Sequence, residues 1–259
     1  MLSGVFTRSR PAFIPYVMAG DPDIATTGLM IDSLQEAGAA AIELGIPYGD
    51  PLADGPTIAA AGVRALRNGT GTAEVLDVVR SRSGRGIPIV LFTYFNPVLQ
   101  YGIERFARDA AQAGAAAVIV PDIALEEGAL LREAVRRNGL QMPLLVAPST
   151  TPERAARIAA AATGFLYVVS RLGVTGAGDA PGFTPLLEQI AMLRRLTDKP
   201  LAVGFGISKP EHVAAVSGAV DGVIVGSALI DACGGASGPE AARRAGDFLR
   251  SLANGARAK

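Results

Sequence analysis

Eight short apolar runs recur along the chain, at residues 13–19, 41–45, 88–94, 116–121, 143–147, 165–170, 201–206 and 222–226. Gly, Pro and polar residues punctuate them. Each run has the length of a buried strand, and several are rich in Val, Ile, Leu and aromatics. Between the runs lie stretches with helical periodicity. Residues 23–37 carry Leu29, Ile31, Leu34 and Ala37 and stop at Gly38. Residues 103–113, 126–138 and 152–163 stop in the same way at Gly114, Gly139 and Gly164. Glycine past a helix end takes the left-handed conformation at little steric cost and marks the stop. Eight strand–helix units in a row, in a chain close to the usual length of about 250 residues, predict an α/β chain folded as a single (β/α)8 TIM barrel. One domain is expected over residues 1–259. A doubly wound sheet is the alternative, but it carries a Gly-x-Gly-x-x-Gly phosphate loop after its first strand. Here that turn reads Ala19-Gly20-Asp21-Pro22-Asp23.

Two connections break the short-loop pattern, one over about 46–56 after strand 2 and one over about 171–184 after strand 6. Both follow the C-terminal ends of strands, where barrel active sites sit. Loops of this length are uncommon unless functional. The second holds Gly173, Gly176, Gly178 and Gly182, a composition suited to a lid.

Composition narrows the class. The chain has 259 residues and 49% hydrophobic content, with a mean hydropathy of +0.33. That is ample for a large core and excludes disorder. The 24 basic and 24 acidic side chains cancel, which argues against nucleic acid or anionic membrane as the main partner. A single Cys (Cys233) excludes an intrachain disulfide, and with a single His (His212) no zinc site is expected. No apolar run approaches the roughly 18 residues of a spanning helix. A soluble cytoplasmic protein is the expectation.

Strand 2 reads Ala41-Ile42-Glu43-Leu44-Gly45. Alternation puts Ile42 and Leu44 on one face and Glu43 on the other. In a barrel the branched residues face the helices, so Glu43 points inward near the C-terminal mouth. Desolvation there raises a carboxyl pKa toward the working pH, where it can both give and take a proton. The other reading is a structural Glu held by backbone donors. In the loop that follows, Asp54 is either reactive or a cap for the next helix, and Asp50, before Pro51, fits a turn. A Glu and an Asp in these positions would also suit a glycosidase pair. Phosphate chemistry is the second signal. Strand 7 ends in Gly204-Phe205-Gly206-Ile207-Ser208 and strand 8 in Gly226-Ser227-Ala228. Loops after strands 7 and 8 form the common phosphate site of this fold. Thr175 and Gly176 offer a hydroxyl and a bare amide at the lid, and Arg171 is either a phosphate ligand or solvated. Tyr94 is either a substrate-side hydroxyl or an amphipathic core residue. His212 reads as a surface residue rather than a base, and Cys233 as packing.

Together these residues resemble the tryptophan synthase alpha chain family. The most specific segment is Glu43 through Ile58, with Ser170–Gly176 and Gly204–Ser208 also family-like. The resemblance implies a (β/α)8 barrel and a carbon–carbon lyase of tryptophan biosynthesis. Such a lyase cleaves indole-3-glycerol phosphate to indole and glyceraldehyde 3-phosphate by a retro-aldol reaction. It implies Glu43 as the general acid/base and Asp54 as the partner of the indole N–H. Tyr167 falls on the substrate-side tyrosine and Thr175 on the lid threonine that orders Asp54. Phosphate contacts fall on Gly176, Gly206, Gly226 and Ser227, with Phe205 beside them, and the indole pocket includes Tyr16 and Tyr94. No metal and no cofactor are implied for this subunit. Pyridoxal phosphate belongs to a beta subunit, the partner in a heterotetramer through which indole passes, with Asp50, Pro51 and Asn96 on the contacting rim. The chain departs from the family pattern at Gly49, Ala124 and Leu172.

Three other readings compete: a stand-alone lyase, a non-catalytic subunit that only activates its partner, and another phosphate-handling barrel such as an isomerase or aldolase. Intact Glu43 and Asp54 argue against the second. A Schiff-base aldolase needs a buried strand Lys, and no predicted strand carries one.

Overall fold

The structure is a computed structural model that describes residues 2–6, 11–170, 183–204 and 206–255. The predicted positions Thr175, Gly176 and Phe205, with Arg171 and Leu172, lie outside the described residues. The strands are β1 (Ala12–Met18), β2 (Ile42–Gly45), β3 (Ile89–Phe92), β4 (Ala117–Ile119), β5 (Leu144–Val146), β6 (Leu166–Val169), β7 (Leu201–Gly204) and β8 (Gly222–Val225). The helices are α1 (Ile24–Glu36), α2 (Pro56–Arg67), α3 (Thr72–Arg82), α4 (Phe95–Tyr101), α5 (Ile103–Ala113), α6 (Ala129–Arg137), α7 (Pro152–Ala161), α8 (Thr184–Leu196), α9 (Pro210–Val216), α10 (Ser227–Cys233) and α11 (Gly238–Gly255).

All strand pairings are parallel, in the order β4-β3-β2-β1-β8-β7-β6-β5. The ends of that order meet at Gln141, whose bridge to Ala117 is made by Val118 N–H to Gln141 C=O at 2.9 Å and Gln141 N–H to Ala116 C=O at 3.1 Å. The sheet therefore closes on itself and the eight runs form a barrel. The predicted runs overlap every strand.

Strands of such a sheet are buried on both faces, which is why they read as near-continuous apolar runs. Ile42, Leu44, Leu91, Val118, Val168 and Val203 belong to the layer packed under the helices. Tyr16, Val90, Phe92, Ala117, Tyr167 and Ala202 form a separate inner cluster. The N-terminal face is plugged by fully buried Leu2 and by Phe6, whose ring lies 5.5 Å from that of Phe165. Among the described residues the barrel is thus a packed core at one end, which leaves its C-terminal mouth to hold a ligand.

Local chemistry fixes the connections at that mouth. Asp23 caps α1, accepting from the Thr26 N–H at 2.7 Å and the Thr26 hydroxyl at 2.8 Å. Arg64 of α2 grips Asp21 in the first loop with two hydrogen bonds of 2.7 and 2.8 Å. The helix after the strand-2 loop begins at Gly55–Pro56 without a side-chain cap. Asp54 therefore does not cap it, and the capping alternative for this residue is corrected.

Candidate active site

Register places the key side chains. Tyr16 of β1 lies beside Glu43 of β2, and Glu43 lies beside Val90 of β3. With Ile42 and Leu44 spent on the outer layer, Glu43 projects inward. It is only 2% exposed, and its Oε2 is buried with no hydrogen-bond partner. An unmatched buried carboxylate is costly, so the proton is retained. Burial first, and the neighbouring Asp54 charge second, push the Glu43 pKa up to about 8.

Asp54 comes from the loop after β2. Burial raises its pKa to about 6, and a hydrogen bond from Tyr94 pulls the other way. That phenol is a hub. Its oxygen accepts the Ala53 N–H at 3.1 Å while its hydroxyl serves the Asp54 carboxylate. One side chain at the end of β3 thereby fixes the loop at two consecutive residues. Tyr94 is itself held from outside the mouth: Asp122 accepts the next backbone N–H, that of Phe95, at 2.9 and 3.2 Å.

Aromatic rings wall the mouth. Tyr16 meets Phe92 edge-on at 5.8 Å, Phe92 meets Tyr94 edge-on at 6.3 Å, and Tyr48 lies 5.4 Å from Tyr94. Edge-to-face and offset contacts of this kind suit a flat aromatic ligand. Tyr16 and Tyr167 are both buried. Burial and the nearby carboxylates drive both phenols far above their ordinary pKa, so they remain neutral donors. Two glycines make room for them. A Cβ at Gly45 would fall on the Tyr16 hydroxyl, and one at Gly204 on that of Tyr167.

The loops after β7 and β8 open onto the same mouth. Gly206 has φ +95°, a conformation favouring glycine. Gly226 precedes α10, which starts at Ser227. A Cβ on Gly226 would sit 3.5 Å from Tyr16 Cβ and 3.3 Å from Ile58 Cδ1. The β8 end is thus continuous with the wall beside Glu43.

The structure brings Tyr16, Glu43, Asp54, Tyr94 and Tyr167 together, with Gly226 and Ser227 at their edge. Asp50 and Asn96 stand exposed on the rim and Pro51 half-buried there, with Asn96 donating to the Tyr48 hydroxyl at 3.2 Å. Sequence reasoning assigned no role to Phe92 or Tyr48. Phe92 shares the inward alternation of Val90 and Tyr94, and Tyr48 lies in the specific loop segment, so both carried a signal. His212 is half-buried, and its ring reaches the backbone of Gly206 and Ser208. Among the described residues, no group of three or more His, Cys, Asp or Glu is placed to hold a metal ion.

A closed parallel barrel with a buried and a half-buried carboxyl and an aromatic wall at its C-terminal mouth has the architecture of a barrel enzyme. Comparison with known proteins makes this specific. The family model for the tryptophan synthase alpha chain matches residues 2–255. The tryptophan synthase alpha chain of Prochlorococcus marinus (strain MIT 9313) is 46% identical over 97% of this chain and 92% of its own length. That of Synechococcus sp. (strain CC9902) is 47% identical over 95% of this chain and 91% of its own. Among solved structures, Mycobacterium tuberculosis tryptophan synthase superposes with a TM-score of 0.91 at 38% identity, covering 100% of this chain and 98% of that one. The alpha subunit from Legionella pneumophila str. Paris gives 0.86 at 34% identity, covering 95% and 93%. The chain belongs to the tryptophan synthase alpha chain family. It is a lyase acting on indole-3-glycerol phosphate.

Proposed function

We propose that Glu43 and Asp54 divide the retro-aldol cleavage between them. Protonated Glu43 gives its proton to the indole ring carbon that carries the glycerol phosphate chain. Positive charge then develops at the ring nitrogen, and ionised Asp54 stabilises it through the N–H. The Glu43 carboxylate takes the proton of the chain hydroxyl next to the ring as the carbon–carbon bond breaks. The bonding electrons return to the ring, leaving indole and glyceraldehyde 3-phosphate with no net gain or loss of protons. Tyr16, Tyr94 and Tyr167 line the indole and glycerol portions. Gly206, Gly226 and Ser227 hold the phosphate; the family resemblance assigns Phe205, Thr175 and Gly176 to the same ligand. No cofactor is used in this chain.

The observation carrying this reading is an enclosed Glu43 with one carboxyl oxygen unmatched beside a half-buried Asp54; burial pushes their pKa values up to about 8 and about 6. Two carboxyls pushed to different pKa values in one mouth take acid and anion roles at neutral pH. Substituting Glu43→Gln tests it. Indole release is expected to fall by at least about a thousandfold, with glycerol 3-phosphate affinity unchanged. Retained turnover would remove Glu43 from the chemistry.

The chain acts with a tryptophan synthase beta chain, which carries pyridoxal phosphate and receives the indole, in a heterotetramer. Asp50, Pro51 and Asn96 form the docking rim. Leu52, 73% exposed, and Leu99, 49% exposed, stand on the same two segments. Apolar side chains left in water beside a polar rim suit a partner surface. A single barrel domain in the cytoplasm accommodates all of this, and no helix among the described residues is long and apolar enough to cross a membrane.

A further inference from the structure

The chain's single imidazole stands outside the acid/base machinery, yet it engages the loop after β7. His212 occupies the third position of α9, and its backbone N–H bonds the Lys209 carbonyl at 3.1 Å. Its ring turns back toward the loop. Nδ1 lies 3.3 Å from the Ser208 backbone nitrogen, 3.5 Å from the Ser208 hydroxyl and 3.1 Å from the Gly206 carbonyl oxygen. One nitrogen cannot accept and donate at once. With the proton on Nε2, Nδ1 accepts the Ser208 N–H; with the proton on Nδ1, it donates to the Gly206 carbonyl. Either tautomer ties the ring to the same three-residue turn. The ring's other contact is Phe183, 5.6 Å away between centroids, at the start of α8.

Gly206 needs this support. It is exposed, and its φ of +95° is one of several that a bare glycine turn can adopt. A backbone amide binds an anion well only when its direction is fixed beforehand. We propose that His212 is a positioning residue for phosphate binding, holding the Gly206–Ser208 turn in the orientation that presents the Gly206 amide to the substrate phosphate. This rests on the reading above that Gly206 contacts the phosphate. His212 itself touches no reacting atom, so its removal should weaken ligand capture and leave the chemical step alone.

The test compares His212→Ala, His212→Asn and His212→Phe. Calorimetric binding of glycerol 3-phosphate is measured alongside kcat and KM for indole-3-glycerol phosphate. The alanine variant should raise both the Kd for glycerol 3-phosphate and KM by about tenfold, the usual scale for losing one organising hydrogen bond. Its kcat should stay within about twofold. Asparagine places an amide where Nδ1 stands and can accept and donate together, so it should recover affinity to within about threefold of the parent. Phenylalanine keeps the ring contact with Phe183 but no polar atom, and should resemble alanine. Should the alanine variant fold poorly, the asparagine and phenylalanine pair still decides. Unchanged Kd and KM in alanine, or equal behaviour of asparagine and phenylalanine, would overturn the proposal while leaving the phosphate site intact. Failure of the parent protein to bind glycerol 3-phosphate at all would overturn the underlying site as well.

Discussion

At the scale of single residues, the proposed chemistry rests on environments that split two similar acids. Glu43 lies inside a closed sheet with one oxygen unmatched, whereas Asp54 is only half-buried and accepts from Tyr94. Burial favours the protonated form of both, more strongly for Glu43. In the proposed mechanism the working state has Glu43 protonated and Asp54 ionised. Its population should rise with pH through about 6 and fall through about 8, with the apparent values belonging to the coupled pair. A profile of kcat/KM against pH for indole-3-glycerol phosphate is therefore expected to be bell-shaped with those limbs. Asp54→Asn should lose the acid limb and drop in rate by about a hundredfold or more; a profile flat from pH 5 to 9 in the parent would contradict the assignment. Glu43 was legible because strand alternation alone sends it inward. The bond from Tyr94 to Asp54 was not, since it depends on the path of a loop whose Gly and Pro residues turn the chain without stating where it goes.

Secondary-structure elements were read well where their signal was local. Strands appeared as apolar runs bounded by turn residues, and α5 ended at Gly114 as its left-handed conformation requires. The short helix α4 escaped because its start carries no local signal. Residues 95–97 read Phe-Asn-Pro, and Tyr94 before them provides no side-chain cap. The acceptor for its first N–H is instead Asp122, beyond β4. Such a non-local cap replaces the usual Ser, Thr, Asp or Asn at the helix start. It also ties Asn96, of the proposed docking rim, and Tyr94 to the next strand's loop. Asp122→Ala should lower stability by about 1 kcal/mol, the ordinary cost of a lost cap, measurable as a reduced urea midpoint at unchanged m-value. An unaltered midpoint would show that water serves this N–H equally well.

Over the whole molecule, one closed sheet lets residues far apart in sequence share a mouth. Glu43 comes from β2, the aromatic wall from β1, β3 and β6, and the proposed anion loops follow β7 and β8, while the Leu2 and Phe6 plug seals the opposite end. Closure through Gln141 was not visible beforehand, because a bridge of a single residue pair leaves no pattern in a sequence. The central claim is that a proton-retaining Glu43 and a phosphate-binding turn occupy one cavity. The direct measurement is a carbon-13 NMR titration of the Glu43 side-chain carboxyl, assigned through the signal missing in Glu43→Gln, without and with saturating glycerol 3-phosphate. The expected result is an apparent pKa near 8 in the free protein, moving higher with the anion bound because like charge nearby disfavours ionisation. A titration near the ordinary glutamate value of about 4.3, indifferent to the ligand, would contradict the account.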